Sequence, residues 1–100
     1  MTNPAGVSLE DVRSAARRID GFVRRTPVIE ANALMDPLPC DRLTLKLECL
    51  QVTGSFKPRG AMSCLTLLDE AARGRGLMTT SGGNHGLAVA YAGWSAGIPA

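Results

Sequence analysis

Two stretches of this chain combine residue types that could carry out chemistry. The first is Thr53-Gly54-Ser55-Phe56-Lys57-Pro58-Arg59-Gly60, which sets a lysine after a glycine turn and directly before a proline. Proline suits the first turn of a helix, where its missing N–H is not needed, so Lys57 falls at a helix N-terminus. There the positive end of the helix dipole, together with the charge of Arg59, disfavours an ammonium group and favours a free amine. A neutral amine is what attack on a carbonyl and Schiff-base exchange require. The plainer reading is a solvent-facing lysine. Gly54-Ser55-Phe56 on one side and Pro58-Arg59-Gly60 on the other weigh against it, because they fix the backbone on both flanks.

The second stretch is Ser81-Gly82-Gly83-Asn84-His85-Gly86, a glycine-rich turn between a short strand pattern and a helical one. Such a turn points several backbone N–H groups at one place, and in open α/β sheets it lies on the ligand-binding edge. Ser81 and Asn84 add side-chain hydrogen bonds. The spacing is not G-x-G-x-x-G, and residues 53–60 are not a P-loop, since no lysine follows a G-x-x-x-x-G frame. A strand-to-helix turn whose glycines only relieve crowding is the competing reading. His85 alone is weak evidence for catalysis. As the single histidine, in a chain without CxxC spacing, it leaves no metal-ligand set.

The elements that position these residues follow from periodicity. Ser8 with Asp11 three residues later is an imperfect capping box. Leu9, Val12, Ala16, Ile19 and Val23 then form one apolar helical stripe, ended near Gly21. Thr26-Pro27-Val28-Ile29-Glu30 is extended, because Pro27 excludes helical angles at Thr26. Residues 31–34 are expected to form a helical turn, and Asp36-Pro37-Leu38-Pro39 a loop. Leu43-Thr44-Leu45-Lys46-Leu47-Glu48 alternates with period two and is the clearest strand. A helix from Pro58 carries the stripe Ala61, Cys64, Leu65, Leu68 and Ala72, stopped by Gly74 or Gly76. Leu77-Met78-Thr79-Thr80 is a short strand candidate. Residues 87–96, small and apolar nearly all round, suit a buried helix ended by Gly97. Strands alternating with helices indicate an α/β class with an open, mainly parallel sheet.

Composition narrows the function classes. A hundred residues, 45% of them apolar, suffice for one modest core. The net charge is +2, and the cluster Arg17, Arg18, Arg24 and Arg25 is interrupted by Asp20, so it reads as a solvated face rather than a nucleic-acid surface. Cys40, Cys49 and Cys64 form neither a disulfide framework nor a zinc pattern, which fits a reducing, cytoplasmic setting. No apolar run approaches membrane-spanning length.

Together, Leu45-Lys46-Leu47-Glu48 and Gln51-Val52-Thr53-Gly54-Ser55-Phe56-Lys57-Pro58-Arg59-Gly60-Ala61 resemble the cofactor-lysine signature of fold-type II pyridoxal-phosphate enzymes (tryptophan synthase beta-like). The similarity is greatest to the threonine dehydratase and serine racemase branch. Residues 81–86 match that branch's Ser-x-Gly-Asn-His motif, and Thr26-Pro27 its N-terminal Thr-Pro.

The resemblance implies that Lys57 forms the Schiff base with pyridoxal 5'-phosphate and later moves protons at the substrate α-carbon. Phe56 would line the cofactor pocket and Asn84 would bond the ring's phenolic oxygen. Ser81, Gly82, Gly83 and His85 would belong to the loop that holds the substrate carboxylate. The implied reaction converts L-threonine or L-serine to a 2-keto acid and ammonia. Racemisation of serine and a threonine synthase-like reaction are the alternatives. From a different class comes a non-catalytic remnant, or a half-protein that needs a partner chain.

The family's phosphate-binding glycines and its pyridine-nitrogen contact lie further along than these residues. The chain is therefore expected to be the N-terminal part of a catalytic domain, with residues 1–74 starting a large domain and 75–100 opening a small one. A homo-oligomer is expected of the full-length form.

Overall fold

A computed structural model of the protein describes residues 6–31 and 39–100. The helical turn expected at 31–34 and the loop expected at 36–39 fall almost wholly outside those residues. The first helix, α1, spans Leu9–Ile19 and opens on a complete capping box. The Ser8 hydroxyl accepts from the Asp11 amide at 3.1 Å, and the Asp11 carboxylate accepts from the Ser8 amide at 2.7 Å. The hydrogen bonds from Ser8 hold the Asp11 carboxyl below the usual carboxylate range. Gly21, at φ +84°, follows the helix end.

The stripe read along α1 is not buried as expected. Leu9 and Val12 are exposed, and within the helix only Ile19 reaches the core. The helix instead meets its neighbour through a polar side. Arg18 donates to Ser63 Oγ at 3.1 Å and to Thr66 Oγ1 at 3.3 Å.

Val28–Glu30 (β1) and Thr44–Lys46 (β2) pair antiparallel, with Val28 opposite Lys46 and Glu30 opposite Thr44. This is the one ladder between named strands among the described residues, so the parallel pairing read from the strand–helix alternation is not seen there. The expected strand at 77–80 is not a strand. One backbone bond, from Leu77 N to Pro99 O at 2.8 Å, joins it to the residues after the last helix. A single bond marks the place where a strand–helix–strand crossover would set two parallel strands side by side.

The long helix read from Pro58 to residue 72 is two helices, α2 (Lys57–Thr66) and α3 (Glu70–Arg75). Thr66 and Asp69 make the break. The Thr66 hydroxyl turns back to Ser63 O at 2.7 Å, while Asp69 caps a new helix by accepting from the Ala72 amide at 2.7 Å. Short polar side chains of this kind offer the backbone partners other than the continuing helix. Arg73 then reaches back to the carbonyl oxygens of Leu65 and Leu68, satisfying groups that the end of α2 leaves open.

The last helix, α4, spans Asn84–Ala96 and ends on Gly97 at φ +68°. It is buried on one face only, through Ala88, Ala92 and Gly93, and Trp94 is 79% exposed. Its small residues let it lie close to α2. The core is built from Ile19, Met62, Leu65 and Ala92, bordered by Val23, Leu77, Tyr91 and Ile98.

Candidate active site

Lys57 is the first residue of α2, and Pro58 behind it is fully buried against the core. The approach to the helix is strained. Thr53 sits at φ +64° and Gly54 at φ +83°, so a β-branched residue occupies the left-handed region. Gln51 holds that turn in place. Its backbone carbonyl accepts from Gly54 N at 2.8 Å, and its side-chain oxygen accepts from Val52 N at 2.9 Å and from Arg24 N at 2.7 Å. Its side-chain nitrogen returns a bond to Arg24 O at 2.8 Å. Gln51 is buried, as are Thr26 and Ser55 on either side of the same turn.

Glu48 lies at the centre of this polar layer. It accepts from Arg59 Nε at 2.7 Å and Nη2 at 3.0 Å, and from the Thr26 hydroxyl. Lys46 Nζ stands 3.6 Å from the same carboxylate and donates to Thr26 Oγ1 at 2.8 Å. The Arg59 guanidinium, above all, draws the Glu48 carboxyl down to about 2, and Glu48 raises Arg59 in turn. Sequence proximity makes Arg59 a second charge beside Lys57. The structure instead commits it to Glu48.

Sequence reasoning does not pick out Thr26, Lys46, Glu48, Gln51 and Arg59 as one network. No local signal joins them: Lys46 and Glu48 read as the polar face of the alternating strand, and Thr26, Gln51 and Arg59 lie on other segments.

The two lysines of the chain differ in their commitments. Lys46 is tied to Thr26 and Glu48, whereas the Lys57 amine makes no hydrogen bond or ion pair among the described residues. It lies 5.2 Å from the centre of the Phe56 ring. Lys57, Phe56 and His85 together line an open groove of about 310 Å³, with Gly60, Ala61 and Cys64. The tertiary structure thus brings the lysine and one residue of the second stretch to a shared surface. Asn84 is exposed and is not part of that lining. Ser81 and Gly86 border a neighbouring cavity, while Gly82 and Gly83 are exposed.

The second stretch is the N-terminus of α4. Gly83 is the capping residue and no side chain caps the helix, so the first-turn N–H groups, at Asn84, His85 and Gly86, have no capping partner. Such N–H groups favour an anion. Gly86 is needed for a close approach: a Cβ there would collide with the carbonyl oxygen of Ser81. Gly82 has nothing within 4 Å of the same position. Gly86→Ala is therefore expected to lower stability by about 1–3 kcal/mol, whereas Gly82→Ala should change it by less than about 0.5 kcal/mol. Thermal denaturation of the two variants side by side checks the contrast.

With this geometry in place, residues 19–100 match the family model described as "Pyridoxal-phosphate dependent enzyme". The chain belongs to that family. It is 43% identical over 88 residues to a serine racemase of Dictyostelium discoideum, covering 88% of this chain and 27% of that protein. It is 41% identical over 103 residues to a phenylserine dehydratase of Ralstonia pickettii, covering 100% of this chain and 31% of the other. Among solved structures, a threonine deaminase from the organism abbreviated T.th. superposes with a TM-score of 0.78 at 44% identity, over 93% of this chain and 32% of that one. Maize serine racemase gives the same TM-score at 35% identity, over 93% and 29%. The fold is that of these enzymes. The chain spans about a third or less of the length of each.

The family's cofactor is pyridoxal phosphate. The residues present fit its aldehyde end: an uncommitted primary amine, an aromatic ring beside it, and an open groove in front. No helix of the described residues is long and apolar enough to cross a membrane.

Proposed function

We propose that this chain carries the lysine and the carboxylate-binding half of the site of a pyridoxal-phosphate dependent dehydratase that acts on L-threonine or L-serine. The observation that carries the proposal is the shared groove of Lys57 and His85, at the meeting of two helix N-termini. The cofactor, when bound, supplies an electron sink for the substrate α-carbon. Lys57 binds it through its amine and takes the α-proton of the substrate. Phe56 shields one side of that amine. The uncapped N–H groups of α4, with Ser81, Gly82, Gly83 and His85, hold the substrate carboxylate, and Asn84 orients the cofactor ring. With the cofactor bound, the α-proton taken by Lys57 would leave with the β-hydroxyl as water, giving an enamine that hydrolyses to a 2-keto acid and ammonia.

The identity to serine racemases favours a second reading, in which the same proton transfer ends in inversion at the α-carbon. Incubation with the cofactor and L-threonine or L-serine separates the two. Formation of keto acid and ammonia supports dehydration, while D-serine without keto acid favours racemisation. Neither product, from a chain shown to bind the cofactor, would overturn both enzymatic readings. It would favour a non-catalytic role or one that needs a partner chain. The exposure of large apolar side chains such as Met78 (97%) and Trp94 (79%) motivates that last reading.

A further inference from the structure

Another cavity, of about 280 Å³, opens at the end of α1 and shares no lining residue with the Lys57 groove. Its character is basic. Arg24, Arg25, Lys46 and Arg59 line it over an apolar floor that includes Ile19, and Asp20 is the one acidic residue in the lining. Behind this wall, Glu48 serves both Arg59, at 2.7 Å, and Lys46, at 3.6 Å. Arg24 spends one N–H on the carbonyl of Leu50 at 3.2 Å. Arg25 and the carboxylate of Asp20 have no partner among the described residues. Even with Glu48 counted beside Asp20, the four cations outnumber the carboxylates by two.

Like charges gathered around one cavity raise its potential and draw in an anion of matching charge. Guanidinium groups recognise oxyanions through paired N–H donors, and phosphate suits them well. The volume lies just below the range typical of drug-sized ligands, which suits a small oxyanion or the charged end of a larger molecule. We propose that this cavity is a binding site for a phosphate-class dianion, either free phosphate or the terminal group of a phosphate monoester. Arg24 and Arg25 grip the anion from outside, and Lys46 and Arg59 face it from within. Arg59 lies two residues beyond Lys57 on α2, so the anion bears on the same polar layer that supports the lysine.

Titration of isotope-labelled protein with inorganic phosphate and with glycerol phosphate, at constant ionic strength set by chloride, tests this. Backbone amides at 24 and 25 and arginine side-chain resonances should shift saturably, with a dissociation constant on the order of 1 mM. The tighter of the two ligands identifies a free or an esterified phosphate. Arg25→Gln breaks no bond in the structure, so the spectrum should stay dispersed while affinity falls about tenfold. Asp20→Asn, which removes a repelling charge, should tighten binding about threefold. Lys57→Ala should leave it unchanged. Shifts no larger than those produced by chloride, or affinity indifferent to both Arg25→Gln and Asp20→Asn, would overturn the proposal.

Discussion

Lys57→Ala is expected to abolish covalent attachment of pyridoxal phosphate and to lower any turnover by about 10³-fold or more. In the unsubstituted protein, borohydride treatment after incubation with the cofactor should fix it on Lys57, as read by peptide mass. The chain supplies its own control, because its only other lysine is Lys46. The Lys46 amine is bonded to Thr26 and set against Glu48, whereas the Lys57 amine faces an open groove and has no polar partner among the described residues. Labelling of Lys46 in place of Lys57 would sink the assignment. An alanine at 57 removes a side chain from the first turn of α2 without disturbing Pro58, which anchors that turn in the core. Loss of attachment in a folded variant therefore reports on the amine itself.

Glu48→Gln should be the most damaging single change beneath the site. It leaves Arg59 and Lys46 facing each other with only the Thr26 hydroxyl and a neutral amide between them. The Glu48 side chain is 17% exposed, so the ion pair is partly screened, and the expected loss is about 2 kcal/mol at neutral pH. For a domain of this size that corresponds to roughly 10 °C in Tm. Combining Glu48→Gln with Arg59→Met should recover part of the loss, because the unpaired charge is removed as well.

The pH dependence has a definite sign. The carboxyl of Glu48 is drawn from its ordinary 4.5 down to about 2, so its contribution is fully present above pH 4.5. That contribution disappears as pH falls through about 2. Acid unfolding of Glu48→Gln should be correspondingly flatter between pH 4.5 and 2 than that of the parent. Equal slopes for the two proteins would mean that the pair contributes nothing to stability.

Much of the candidate site is legible in the residues alone, because its chemistry is local. Pro58 after Lys57 marks a helix start, and Gly82-Gly83 ahead of a small-residue helix marks an open N-terminus, whatever lies elsewhere in the fold. The capping box at Ser8 and Asp11, the turn at Gly54 and the stop at Gly97 are local in the same way: each depends on neighbours within four residues and on the backbone freedom of glycine.

Tertiary structure decided what depends on distant partners. Periodicity marks Leu9, Val12 and Ile19 alike, yet only Ile19 finds neighbours in the core, since burial depends on what arrives from other elements. Hydrophobic spacing carries one helix through residues 66–69, where the hydroxyl of Thr66 and the capping carboxylate of Asp69 divide it. The antiparallel direction of β1 and β2 escapes the pattern because alternation reports which face is apolar, and says nothing of which way a neighbour runs. Sequence proximity sets the charge of Arg59 beside Lys57, and the fold moves it to Glu48. The sequence by itself determined that Lys57 opens a helix and that residues 81–86 stand at the start of another. Only the tertiary structure decided that Lys57 shares a groove with His85, with the carboxylate of Glu48 holding the second charge away from it. Lines of chain 28 residues apart meet only through the packing of α2 on α4, which no local pattern encodes.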